Sequence, residues 1–250
     1  MNGPLRSLFG RLADVLWPRI CAAGGCGRAS DRPGRHICSR CFAALPFHAA
    51  AGCCRVCGAE VTAETRHDFI CEACAARPPA FERARSAVRY EAPVDGLVQE
   101  FKYRRAAWLG PDFADLLEGA VRAKLDFHEI DVVVPVPLHP NRLRTRGFNQ
   151  SEILADGLSR RLDRRLDTRA LVRTTDTPHQ ARLTEEERRQ NLKEAFAVAD
   201  PSGVRGRTVL LVDDVMTSGA TLSFAARALL DASAARVWCA TVARAIRRNA

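Results

Sequence analysis

The run Val209-Leu210-Leu211-Val212-Asp213-Asp214-Val215-Met216-Thr217-Ser218-Gly219-Ala220-Thr221 decides the fold class. Four apolar residues make a buried strand, two adjacent carboxylates end it, and a small, hydroxyl-rich turn leads into a helix. In an open α/β sheet, ligands bind at the carboxyl ends of the strands. A turn feeding a helix N-terminus offers free backbone N–H groups and the positive end of a dipole, which suits a phosphate. Gly219 lets the backbone approach closely, and Thr217, Ser218 and Thr221 add hydroxyl donors. Two carboxylates beside such a pocket would repel a polyanion but accept neutral hydroxyls, such as the 2′ and 3′ groups of a ribose. Phosphate on one side and diol on the other describe a ribose 5-phosphate. The G-x-x-x-x-G-K-[ST] order of a Walker loop is absent.

On either side of this run, strands alternate with helices. Ser86–Tyr90 reads as a short strand, and Val94–Tyr103 and Phe113–Leu125 as helices. Asp131–Pro137 (DVVVPVP) is a β-branched run between prolines and reads as a second buried strand. Ser151–Leu162, Glu185–Ala195 and Thr221–Leu230 read as helices, and Ala235–Val242 as a late strand. Such alternation predicts an α/β fold with a parallel sheet. No long-period repeat is evident.

The cysteines divide the chain. Nine of the ten lie between Cys21 and Cys74, and Arg77-Pro78-Pro79 reads as the linker that closes this part. The division is therefore residues 1–79 and 80–250. The spacings are Cys21-x4-Cys26, Cys38-x2-Cys41, Cys54-x2-Cys57 and Cys71-x2-Cys74. Eight thiolates fill two tetrahedral Zn²⁺ sites. The sequential assignment gives Cys21, Cys26, Cys38 and Cys41 to one ion and Cys54, Cys57, Cys71 and Cys74 to the other, although spacing alone leaves an interleaved pairing open. Cys53 adjoins Cys54, but only Cys54 has the x2 spacing to Cys57. With every position filled by protein the role is structural, and a segment so poor in large apolar residues needs such a staple. Disulfides and an iron–sulfur cluster are the competing readings.

The 250 residues allow one or two domains at ~150 residues each. An apolar share of 47% supports a buried core, and no stretch nears the ~18 apolar residues of a membrane span. The formal charge of +9 points to phosphate-bearing partners, although an arginine-rich composition with only three lysines also reflects a GC-rich genome. Residues 5–16 have helical apolar spacing ending before Pro18, not the apolar core of a secretory signal, so a cytoplasmic location with reduced thiols is expected.

The strand, the two acids and Thr-Ser-Gly-x-Thr resemble the PRPP-binding motif of type I phosphoribosyltransferases. That resemblance implies that Asp213 and Asp214 contact the ribose diol. Thr217, Ser218, Gly219, Ala220 and Thr221 would wrap the 5-phosphate, and Mg²⁺ would enter chelated by the pyrophosphate and ribose hydroxyls of PRPP. The Cys pairs, Phe101-Lys102-Tyr103-Arg104, Val134-Pro135-Val136-Pro137-Leu138, Arg146-Gly147-Phe148-Asn149-Gln150, Thr177-Pro178-His179-Gln180 and Arg188-Arg189-Gln190-Asn191-Leu192 follow in that order. Together they resemble the ComF family, proteins associated with DNA uptake and utilisation. The one departure is the x4 spacing of the first Cys pair. In this likeness Lys102 and Arg146 face the pyrophosphate and Arg188 belongs to a lid over PRPP. Each also reads as an ordinary surface charge. Tyr90, Phe101 and Trp108 read as core.

The expected protein is thus a double zinc ribbon joined to a type I phosphoribosyltransferase domain. It would pass the phosphoribosyl group of PRPP to a nitrogen acceptor, a nucleobase or another amine, that the sequence does not identify. The rival is a non-catalytic PRPP sensor or a module that binds DNA or DNA-uptake proteins. Residues 1–80 carry no dense Lys/Arg cluster of the kind DNA binding favours.

Overall fold

A computed structural model describes residues 18–48, 52–60, 69–103, 106–175 and 195–245. Among the described residues seven strands form: β1 Arg83–Arg89, β2 Val132–Pro135, β3 Arg165–Leu166, β4 Leu171–Arg173, β5 Phe196–Val198, β6 Thr208–Met216 and β7 Arg236–Arg244. Five of them make one parallel sheet in the order β1-β7-β6-β2-β3, and β4 pairs with β5 as a separate antiparallel ribbon. The helices are α1 Ser39–Ala43, α2 Glu72–Ala76, α3 Val94–Tyr103, α4 Gly110–Lys124, α5 Pro140–Arg146, α6 Gln150–Leu162 and α7 Ala220–Asp231.

The strands read as near-continuous apolar runs because both faces of the sheet are covered. Val133, Leu210, Val212, Trp238 and Ala240 point to one face and pack with Phe101 of α3, Phe113 and Leu117 of α4, and Leu154 and Leu158 of α6. Their neighbours Val132, Val134, Val209, Leu211, Val237 and Cys239 point to the other and pack with Leu222, Ala226 and Leu229 of α7 and Phe196 of β5. The expected α/β parallel sheet is the observed one. One expectation is corrected. The strand carrying the acids does not end at Val212. β6 continues through Asp213 and Asp214 to Met216 because β7 runs alongside it as far as Arg244. The expected helix at residues 5–16, and that at Glu185–Ala195 save Ala195 itself, lie outside the described residues.

The Cys-rich segment folds as two copies of one unit, a duplication hidden in the sequence by the longer first Cys pair. The interval from Cys21 to Cys54 recurs from Cys38 to Cys71 and from Cys41 to Cys74. In each copy the N–H of the third cysteine donates to the sulfur of the first, Cys38 to Cys21 Sγ and Cys71 to Cys54 Sγ, both at 3.3 Å. In each, that third cysteine caps a five-residue helix, α1 or α2. The two extra residues of the first pair are taken up where Gly25 adopts φ +77°, open to glycine at little cost.

The two units straddle β1. Cys21 and Cys38 pack on the α3–α4 face, and Cys54, Cys57 and Cys74 on the α7 face. Between them they take the outer hydrogen bonds of β1. Ala84 N–H donates to Val56 O (2.7 Å), Arg89 N–H to Pro46 O (2.8 Å), and His48 N–H to Ala87 O (3.1 Å).

The first unit is pinned by Asp112 of α4, which is fully buried. Its carboxylate accepts from His36 N–H (2.8 Å), Ile37 N–H (3.2 Å) and Arg32 Nη1 (2.9 Å). Asp115, one turn on, holds Arg32, Arg35 and Arg161. Removing one partner of a buried charged network strands the rest. Asp112→Ala is expected to cost about 3 kcal/mol of unfolding free energy, read by urea denaturation, with Asp112→Asn intermediate.

Candidate active site and metal centres

β2 ends at Pro135, whose register partner is Val212, while β6 and β7 run on. The sheet therefore opens a crevice beside Asp213, Asp214 and the loop after Met216. Into it the fold brings residues from two other elements, α3 and α6. Lys102, at the end of α3, places Nζ 2.9 Å from Asp214 Oδ1. Ser151, in the first turn of α6, donates its hydroxyl to Asp213 Oδ1 at 2.7 Å. Asn149 caps α6, accepting from Ser151 N–H and donating to Val136 O, and so ties the loop after β2 to that helix. Sequence reasoning passed over Ser151, whose only local sign is its place just behind a helix cap.

The electrostatics follow from this packing. Burial would pull the Lys102 ammonium down, but the Asp214 carboxylate overcomes it and holds the lysine above its ordinary value. Burial and the adjacent Asp214 charge push the Asp213 carboxyl up to about 7, against the Ser151 hydrogen bond and Lys102. Asp214 is almost wholly buried, and its Oδ2 has no partner among the described residues.

Beyond Met216 the loop turns into α7 at Gly219, whose φ of +80° favours glycine. Thr217 and Ser218 are exposed, and Ala220 and Thr221 half-buried. A cavity of ≈ 350 Å³ lies in front of Ser218, Gly219 and Ala220, and its other wall is α2 with Arg77, Pro78 and Pro79. Arg146 is not aimed alone at solvent. Its guanidinium lies 5.1 Å from the Tyr103 ring centre and bonds Gln150. Phe101 is core as expected, whereas Trp108 is 44% exposed and packs tilted against His36 of the first Cys unit, ring centres 4.4 Å apart. Arg188 and residues 177–180 lie outside the described residues.

The eight thiols come together sequentially, not interleaved. In each group the four sulfurs lie within 4.8 Å of one another. A regular tetrahedron with ~2.3 Å metal–sulfur bonds has an edge of about 3.8 Å. Cys26–Cys38 is 3.8 Å and Cys57–Cys71 is 3.7 Å. The titration pattern also calls for a cation. Against burial, N–H donors from Cys71, Cys57 and Val56 bring the Cys54 thiol down to about 7, whereas burial pushes Cys57 up to about 11 and Cys74 beyond that. Without a metal the four cannot all ionise. The donor set thus fits a structural Zn²⁺ at each group.

A parallel sheet that stops short to expose an acidic pair, followed by a hydroxyl–glycine turn, is the site of a phosphoribosyltransferase fold, and residues 148–250 match the phosphoribosyl transferase domain family. Whole-chain relatives narrow this. The chain is 35% identical over 209 residues to the DNA utilization protein YhgH of Escherichia coli K12, covering 81% of this chain and 88% of that one. It is 34% identical over 194 residues to competence protein F of Haemophilus influenzae, covering 75% and 81%. To competence protein ComFC of Bacillus subtilis it is 31% identical over 197 residues, covering 78% and 72%. The chain belongs to the ComF family.

The raised Asp213 carboxyl makes a stability prediction. Its folded value lies above the ordinary 3.8, so its stabilising contribution is full below that value and lost as pH rises through about 7. Asp213→Asn keeps an acceptor for Ser151 without the charge. It should therefore raise the melting temperature at pH 8 by ~2–4 °C, the equivalent of about 1 kcal/mol, and by much less at pH 5.

Proposed function

We propose that this protein binds PRPP with Mg²⁺ and transfers its phosphoribosyl group to a nitrogen acceptor, releasing pyrophosphate. The observation that carries the reading is Asp214 Oδ2. A buried carboxylate oxygen left without a donor is costly, and it stands in the crevice beside a loop suited to phosphate. A ribose hydroxyl would supply the missing donor while the 5-phosphate sits on the N–H groups of Thr217–Thr221.

Each residue then has a task. Asp213, fixed by Ser151, and Asp214, fixed by Lys102, orient the ribose diol. The transition state at the anomeric carbon is cation-like, so catalysis is positional and electrostatic, with two carboxylates close to the developing charge. Lys102 offers the departing pyrophosphate a cation once a ribose hydroxyl shares Asp214, and Arg146 adds a second from α5. Mg²⁺ would arrive on the PRPP oxygens and supply charge neutralisation there. By the family resemblance Arg188, which lies outside the described residues, would help to exclude water from the activated sugar. Zn²⁺ at the two Cys groups of residues 1–79 is structural, and residues 80–250 carry the transferase site. The relatives' names support a role in the handling of incoming DNA, and the protein would work in the cytoplasm. Among the described residues no helix is long and apolar enough to cross a membrane.

Calorimetric titration of PRPP with Mg²⁺ into wild type and the Asp213→Ala/Asp214→Ala double variant tests the site. Saturable binding should weaken at least ~100-fold in the variant, since each lost hydrogen bond to a charged acceptor is worth ~1.5–3 kcal/mol. Pyrophosphate release on adding a nucleobase panel should then identify the acceptor. A folded, zinc-loaded wild type that does not bind PRPP would overturn the reading and leave an interaction module.

A further inference from the structure

The second Cys group touches the phosphate loop from two directions. From behind, the contact runs through Arg244, the last residue of β7. Its Nη1 donates to Cys57 O at 2.7 Å and to Met216 Sδ at 3.1 Å, and its Nη2 lies 3.5 Å from Cys57 Sγ. Met216 is the last residue of β6 and directly precedes Thr217. Its carbonyl accepts from Ala245 N–H at 3.0 Å. Its methyl carbon lies 2.6 Å from where a Cβ on Gly219 would sit, so the thioether is the floor on which the loop turns. One guanidinium therefore grips a ligand cysteine and the floor of the loop together.

From the front, α2 is capped by Cys71, carries Cys74 and walls the cavity opposite Ser218 and Gly219, with Arg77 just past its end. The segment that follows is stitched to α7, because Ala80 N–H donates to Ser223 Oγ at 3.0 Å. The first Cys group is placed differently. It packs on the opposite face of the sheet and is anchored through Asp112 and Asp115 of α4.

We propose that Arg244 is a positioning residue through which metal at the second Cys group and a phosphorylated ligand at the loop stabilise each other, while metal at the first group has no such link. The proposal rests on the reading that the loop binds the 5-phosphate of PRPP. Metal would fix Cys57 with its three fellow ligands, and so fix the carbonyl and sulfur that Arg244 contacts. Without metal that turn is no longer held, and Arg244 loses the frame that keeps it over Met216. The loop must then be ordered at the ligand's expense. Linkage is reciprocal, so whatever metal gives to PRPP affinity, PRPP returns to metal retention by the same factor.

The chain holds a convenient reporter, since Met216 is its only methionine besides Met1. A ¹³C-methyl methionine label therefore reads the loop floor directly. The zinc-loaded full chain would be exposed to a colorimetric chelator while that resonance is followed, with Mg²⁺ alone and with PRPP plus Mg²⁺. Zinc should leave in two steps. The Met216 methyl should shift with one step only, and PRPP should slow that same step about tenfold, within the range typical of coupled sites. Arg244→Gln should still load two zinc ions, yet its methyl should no longer follow zinc loss and PRPP should protect neither ion. A methyl that ignores both steps overturns the proposal. So does PRPP that binds by calorimetry but slows neither step or both alike. PRPP that fails to bind at all, with a methyl that still follows zinc, would instead bring down the reading of the loop, and the coupling with it.

Discussion

Two carboxylates side by side in a half-buried crevice cannot stand without a counter-charge, and Lys102 provides it. Like charges that close would each be forced toward the neutral form. The Lys102 ammonium lies 2.9 Å from Asp214 Oδ1, and the Ser151 hydroxyl donates to Asp213. The lysine's aim is set by its apolar neighbour. Phe101 is fully buried, edge-on to Phe113 at 5.2 Å and tilted against Phe148 at 6.0 Å. That packing locks the end of α3 over β6. An aromatic contact in the core thus decides where a charge sits in the site.

The crevice itself comes from unequal strand lengths. β2 makes its last bond to β6 from Val136 N–H to Val212 O at 2.9 Å and gives out there. β6 persists because β7 supports it from the other side. The acids are consequently held by regular sheet backbone, not by a loose turn. Preorganisation of this kind matters where catalysis depends on where charges already stand.

The parts of this architecture that depend on neighbours in sequence were legible in it. The apolar run, the acid pair and the hydroxyl turn are contiguous, and the bounds of α3 and α6 follow from apolar spacing to within a residue. The Cys groups were legible because a metal imposes its own spacing. What escaped reading is non-local. The length of β6 is a property of β7. Ser151 reaches Asp213 only once α6 packs on the sheet. Arg244 and Cys57 lie at opposite ends of the chain, and no periodicity hints that they meet. Trp108 looked like core because its type usually is, but its actual role is to cover His36. The duplication of the Cys unit was obscured by two extra residues in one turn.

The way the Cys-rich segment lies along β1 has a consequence for the protein's colloidal behaviour. β1 is the outermost strand of a parallel sheet, and its outward N–H and C=O groups are occupied by Val56, Pro46 and His48 of a segment with little apolar core of its own. If the thiol groups lose their order, the whole edge is bared: flat, hydrogen-bond hungry and flanked by apolar residues. Such an edge is a template for strand addition from another chain. Order in the Cys-rich segment thus bears on more than the geometry of one site, because the same segment shields the edge of the sheet.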